Sequence, residues 1–224
     1  MSVVAQAAPL IDWAWIVDHL DDMWDRTVEH VVLTGLAVGI GLVVSVALSV
    51  VALRFRRTYA PISWTSGVLY TIPSIALFAF LVPFTGLSLL TAEIGLVSYT
   101  LLILIRNIVA GIDGVPASVV EAARAMGYTE RRLFWEIQLP LAVPVVMAGI
   151  RIAAVTVVGL VTVTSLIGQG GYGALILRGL SRNFATEVFG GTFLSIALAV
   201  VIDFALLGLQ RWMAPWMRRR PRTT

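Results

Sequence analysis

Glu121–Pro140 reads EAARAMGYTERRLFWEIQLP. Glu121, Arg124, Glu130, Arg131, Arg132 and Glu136 crowd six charges into sixteen positions. Long charge-free runs lie on both sides. A polar segment of this size between hydrophobic spans belongs in water or against another protein, because lipid satisfies no polar group. Upstream, Val31–Leu53 carries no charge over 23 residues. At a rise of about 1.5 Å per residue it crosses the roughly 30 Å hydrocarbon core and reads as a first transmembrane helix.

The bulk numbers agree. The 224 residues are 58% hydrophobic and 13% charged, with a mean hydropathy of +0.91. Soluble domains carry roughly 25% charged residues. The fold class is therefore an all-α integral membrane protein. With no Cys, disulfide and thiolate chemistry are excluded. His19 and His30, the two histidines, do not make a metal site. A net charge of +3 makes no case for a nucleic-acid partner.

Outward from the polar segment, the chain divides into about five spans. Arg54, Arg56 and Arg57 end the first. Gly35 and Gly39 stand at GxxxG spacing in its outer half, a pattern that permits close helix packing. Thr58–Ala92 is uncharged for 35 residues, too long for one helix. A second span over 62–82, kinked near Pro73, and a third over 89–108 account for it, with a turn around Phe84-Thr85-Gly86 between them. Glu93 falls near the outer end of the third. A fourth span covers 141–166. A glycine-rich loop, Ile167-Gly168-Gln169-Gly170-Gly171-Tyr172-Gly173, follows, then a short half-inserted helix over 174–180. Arg178, Arg182 and Glu187 stay outside, and a fifth span covers 188–209.

Arginine placement orients this layout. Arg54, Arg56, Arg57, Arg106, Arg124, Arg131, Arg132, Arg211, Arg218, Arg219, Arg220 and Arg222 fall on one side. Arg26, Arg178 and Arg182 fall on the other. Twelve against three puts the N-terminus outside, and the C-terminus and the polar segment in the cytoplasm. Residues 1–30 then form an acidic extracytoplasmic segment without the basic n-region of a cleavable signal. Ile11, Trp15, Leu20 and Trp24 suit a short interfacial helix there, with a solvated tail as the alternative. The transmembrane domain spans 31–210, with the cytoplasmic loop at about 113–140, and 211–224 is a basic tail.

Within the loop, Ser118 and Glu121 have capping-box spacing, after Pro116. A short helix should run to Met126 and stop at Gly127, where a positive φ is available. Thr129 should cap a second short helix ending at Pro140. Two short helices joined at a glycine make an exposed L.

The spacing goes further than shape. Glu121-Ala122-Ala123, Gly127, Ile137, Leu139 and Pro140 fill the pattern E-A-A-x3-G-x9-I-x-L-P without insertion. A plain helical loop has no reason to keep that register. The segment resembles the EAA loop of ABC-importer permeases, and the likeness extends over about 33–209. It implies a type I permease fold whose loop docks in a groove on a separate cytoplasmic ATPase. In that role Glu121 anchors the helix start, Ala122 and Ala123 permit close approach, Gly127 sets the bend, and Arg124 reaches acidic groups on the partner. The P-loop pattern needs a Lys and the chain has none, so ATP and magnesium are expected on a partner ATPase dimer, and no cofactor or catalytic residue here. A second permease subunit, identical or homologous, and an extracytoplasmic solute-binding protein complete the expected assembly in the cell membrane.

Tyr70-Thr71-Ile72-Pro73-Ser74, the Ile103–Gly111 segment ILIRNIVAG, and the glycine-rich loop resemble the glycine betaine, carnitine and choline branch of these permeases. Methionine permeases are the competitor within the fold. Quaternary ammonium groups favour aromatic faces, so Tyr70, Pro73, Ser74 and Tyr99 are the candidate path residues, with packing as the alternative role. Arg151 and Asp203 are charges inside spans, at similar depth in the cytoplasmic half; unpaired they cost a few kcal/mol or more. They are expected to pair between the fourth and fifth spans, with a gate charge as the alternative. Two other classes compete with transport. A membrane scaffold that recruits a partner through the loop is one. A membrane-embedded enzyme is the other, and it lacks a nucleophile-and-base cluster.

Overall fold

The computed structural model describes residues 10–216. Arg218, Arg219, Arg220 and Arg222 of the basic tail, and residues 1–9, lie outside the described residues. The described chain is helical, with no strand among the described residues. α1 (Trp13–Asp18) is capped by Asp12, whose carboxylate accepts from the Trp15 N–H at 3.1 Å. The Asp12 N–H in turn donates to Thr186 Oγ1 at 2.9 Å, which fastens this end to the last span.

α2 (Leu20–Arg54) begins three turns before Val31. Asp21 and Asp22 in its first turn favour the positive end of the helix dipole, so the acidic segment is helical rather than a separate tail. The apolar set expected in one interfacial helix is split: Trp15 lies in α1, stacked on His19 and edge-on to Phe184, while Leu20 and Trp24 lie in α2.

The second span is broken rather than kinked. α3 (Tyr59–Thr71) and α4 (Ser74–Thr85) meet at 97°. Pro73 has no N–H and pushes the preceding residue out of the helical region. Ile72 and Pro73 accordingly take ψ 127° and 132°. α5 (Leu89–Asp113) follows, capped by Ser88. Then come α6 (Ala117–Ala125), α7 (Glu130–Leu133), a π turn at Phe134–Gln138, α8 (Leu139–Val163), a 3-10 turn at Thr164–Ile167, α9 (Tyr172–Arg182) and α10 (Ala185–Met213). Among the described residues four runs are long and apolar enough to cross a membrane: α2, α5, Glu130–Ile167 and α10. The bent pair α3–α4 is the fifth when taken as one span.

α5 is the axis of the packing. In the outer half its Ala92 and Leu96 meet Leu33, Ala37, Phe78, Val157, Val161 and Ile167. In the inner half Ile105 and Val109 pack on Ala52, with Tyr59 and Ile62 alongside, while Leu104 and Ile108 face Ala153. A bidentate pair, Arg56 to Asp113 at 2.6 and 2.7 Å, closes the inner corner between α2 and the end of α5. Within this chain the close helix approach falls at a different glycine from the GxxxG pair. A methyl group on Gly35 or Gly39 would touch nothing, whereas one on Gly41 would run into Thr100 of α5. Spacing along one helix does not reveal which face its neighbour occupies.

Candidate functional site

The cytoplasmic loop is built around one glycine. α6 ends in a Schellman arrangement: the Tyr128 N–H donates to the Ala123 carbonyl at 3.1 Å, and the Gly127 N–H to Arg124 at 2.9 Å. Gly127 sits at φ +85°, a left-handed conformation that a residue with a Cβ adopts at a cost of about 1–2 kcal/mol. Thr129 then caps α7, its Oγ1 accepting from the Arg132 N–H at 3.4 Å. Arg124 and Glu130 clamp the bend with two hydrogen bonds of 2.8 and 3.2 Å. That carboxylate raises the Arg124 pKa above its ordinary value. Arg124 is thus engaged within its own loop rather than held out unpaired. Arg132 pairs with Glu136 and lies 4.4 Å over the Tyr128 ring.

Two readings of the loop are corrected. Ser118 is not a cap: α6 starts at Ala117, Pro116 holds the cap position, and no side chain caps this end. Ser118 is therefore already inside the first turn. The second arm is also not a short helix ending at Pro140. It continues through the π turn into α8, with the Leu139 N–H bonded to the Phe134 carbonyl five residues back. A wider turn accommodates a proline that has no N–H and whose ring would press on the preceding turn.

The arm has two faces. Ala123 is fully buried, with Val115 and Leu133 beneath the loop. Glu121, Ala122, Arg124 and Gly127 are exposed. Val119, Ala122 and Met126, spaced for one helical face, form an outward apolar strip, and Met126 is 69% exposed. This face is small and apolar in the middle and charged at the rim.

Tyr70, Pro73, Ser74 and Tyr99 come together at the break between α3 and α4. The Tyr99 hydroxyl donates to the Ile72 carbonyl, one of the groups that the break leaves without a helical partner. Tyr70 meets the Tyr99 ring edge-on at 5.9 Å. Tyr99 is buried, so it holds the break, while Tyr70 and Pro73 are exposed. Arg151 and Asp203 are bound to each other between α8 and α10 by Nε–Oδ1 and Nη2–Oδ2 contacts of 2.8 Å.

Sequence reasoning missed the fastening of the glycine-rich loop. Buried His30 of α2 bridges two elements: Nε2 donates to the Val158 carbonyl at 3.0 Å, and Nδ1 accepts from the Tyr172 N–H at 3.3 Å. Glu29 accepts from the Gly170 N–H at 2.9 Å. Gly171, at φ +48°, lies so close to α2 that a Cβ would stand 2.6 Å from that of His30. Arg178 joins Asp22 of α2 to the buried Glu187 of α10. The available signal was the pair Glu29-His30 at the edge of a charge-free run, beside a loop rich in unpaired N–H groups.

The family model described as "Binding-protein-dependent transport system inner membrane component" matches residues 29–219. The chain belongs to that family. It is a multi-pass transport protein of the cell membrane. Its similarity to the choline transport system permease protein OpuBB of Bacillus subtilis is 35% identity over 190 residues, covering 85% of this chain and 88% of that one. For the osmoprotectant import permease protein OsmW of Salmonella typhimurium the figures are 33% over 207 residues, 90% and 96%. For the carnitine transport permease protein OpuCB of Listeria monocytogenes they are 35% over 197 residues, 88% and 90%. Among solved structures, an inward-facing MetNI methionine ABC transporter chain matches with a TM-score of 0.70 at 23% identity, covering 91% of this chain and 99% of that one. At that identity the likeness is one of fold: the bundle and its cytoplasmic loop are those of an importer permease.

Proposed function

We propose that this chain is the non-catalytic permease subunit of an ATP-driven importer for quaternary ammonium osmoprotectants such as glycine betaine, choline or carnitine. The observation that carries this reading is the identity of 33–35% with permeases named for choline, carnitine and osmoprotectant transport, over most of both chains. The small, apolar outer face of α6 is the surface offered to a cytoplasmic ATPase dimer that holds ATP and magnesium. A second permease subunit covers the exposed faces of α3, α4 and α10, and an extracytoplasmic binding protein delivers the solute. Methionine import has only the likeness of fold in its favour.

The test is uptake by proteoliposomes containing the permease, its ATPase and its binding protein. Glycine betaine, choline, carnitine and methionine are offered in parallel. ATP-dependent uptake of one or more of the first three supports the reading. Uptake of methionine alone, or partner binding with no uptake at all, rejects it.

A further inference from the structure

Glu93 lies in the outer half of α5, and only 7% of it is exposed. Neither of its carboxylate oxygens has a hydrogen-bond partner among the described residues. A buried carboxylate is ordinarily paired or bound to a cation, because its charge is costly away from water. The other buried or half-buried acids at this end of the bundle all have partners. Asp12 caps α1, Asp22 and Glu187 hold Arg178, and Glu29 holds the Gly170 N–H.

Helix register shows what stands at the level of Glu93. α2 and α5 run in the same direction: Leu33 and Ala37 pack with Ala92 and Leu96, and Ala52 with Ile105 and Val109. A Cβ on Gly41 would strike Thr100, so these positions meet. Seven residues earlier on both helices, about two turns, stand Thr34 and Glu93. α8 runs the opposite way, with Gly149 against Asn107 and Ala142 against Gly111. Glu93 is fourteen residues before Asn107 and Thr164 is fifteen after Gly149, so Thr164 reaches the same level. Thr34 and Thr164 are 3% and 0% exposed. Thr34 Oγ1 also has no partner among the described residues. Thr164 Oγ1 donates to the Val161 carbonyl at 2.8 Å and keeps its lone pairs. Three helices thus bring buried oxygens to one level. It lies just beneath the glycine-rich loop, whose Gln169 N–H donates to the Thr164 carbonyl at 3.2 Å.

No charge on the elements packed around α5 balances Glu93. α4 carries no titratable side chain. On α8 the one cation, Arg151, holds Asp203. On α2, His30 stands a turn beyond Thr34 with both ring nitrogens engaged, and Arg26 lies further out with Asp22 and Glu29. At the helix break Tyr99 turns to the Ile72 carbonyl and Tyr70 to Tyr99. The counter-charge therefore comes from solution. One carboxylate balances one positive charge, and hydroxyl and carboxylate oxygens are hard donors that suit a small cation.

We propose that Thr34, Glu93 and Thr164 form a site for one small monovalent cation taken up from the outer side, a sodium ion or a proton. The bound cation joins the outer ends of α2, α5 and α8. The site stands apart from the osmoprotectant reading, and its test needs no solute.

The experiment uses the full-length chain purified in a non-ionic detergent. Thermal midpoints are recorded in sodium chloride and in N-methyl-D-glucamine chloride at one ionic strength, over about pH 6–9. With sodium as the ligand, the wild-type midpoint should rise by about 4 °C at saturating sodium. With the proton as the ligand, it should ignore sodium and fall by a similar amount as rising pH empties the site. Glu93→Gln, neutral and of the same shape, should lose whichever dependence the wild type shows. Thr34→Val and Thr164→Val should weaken binding of that cation about tenfold, the loss of one hydrogen-bonding group. These two variants carry the test if Glu93→Gln does not fold. A wild-type midpoint that follows neither sodium nor pH overturns the proposal. So does a dependence that persists undiminished in Glu93→Gln, or in both threonine variants where they stand in for it.

Discussion

Arg151 and Asp203 grip each other through both carboxylate oxygens, across α8 and α10. The buried residues of α10 are Thr186, Glu187 and Gly191, all at its outer end. Further in, this ion pair and a 3.3 Å hydrogen bond from Gln210 to the Pro144 carbonyl fasten α10 to α8. Asp203→Asn and Arg151→Gln should each lower the unfolding midpoint of the purified protein by about 2–4 °C, the response of a chain of this size to a modest loss. The double variant should recover most of that drop, since neither charge is then left alone. Simple additivity in the thermal scans would show that the two charges act independently.

Gly127→Val should leave the spans assembled but cut ATP-driven uptake by about tenfold or more, because β-branching is poorly tolerated at positive φ. There is open space around this residue, so the penalty is one of backbone conformation alone. Gly127→Asn should be milder; Asn183 already holds φ 52° in this chain. Glu121→Lys reverses a charge on the exposed face and should weaken co-purification of the ATPase. Full uptake with both Gly127→Val and Glu121→Lys would mean that the loop geometry is not what couples the chain to its partner.

Gly41→Val should destabilise the chain by about 1–3 kcal/mol through overpacking against Thr100. Gly39→Ala, whose new methyl meets nothing within the chain, should be neutral for the isolated subunit. Thermal midpoints of the two purified variants check the contrast, and equal losses would contradict it.

His30→Leu removes the partner of one carbonyl and one N–H at a buried site, costing about 1–3 kcal/mol for each group left unsatisfied. The expected readout is faster proteolysis within 167–173 together with a lower midpoint. An unchanged cleavage rate would show that the loop is held by its packing on α8 instead.

The spans were legible because charge-free runs and arginine placement reflect the cost of charge in lipid, which acts one residue at a time. Gly127 was legible for a similar reason, since the L-shaped loop demands one residue at positive φ. The rest depended on contacts between distant residues. Pro73 announced a disturbance, but a 97° break also involves Tyr99 reaching the Ile72 carbonyl from 27 positions away. Ser118 and Glu121 had the spacing of a capping box, yet Pro116 took the cap position two residues earlier. Pro140 read as a helix end because regular helices exclude proline, and the π turn removed that objection.

That π turn has a mechanical consequence. Glu130–Ile167 is one rod of 38 residues, about 57 Å long. Its lower end is strapped to α6 by Arg124 and Glu130, and its upper end stops at the loop that Glu29 and His30 tether to α2. The cytoplasmic loop and the outer glycine-rich loop are therefore joined end to end by a single helical element.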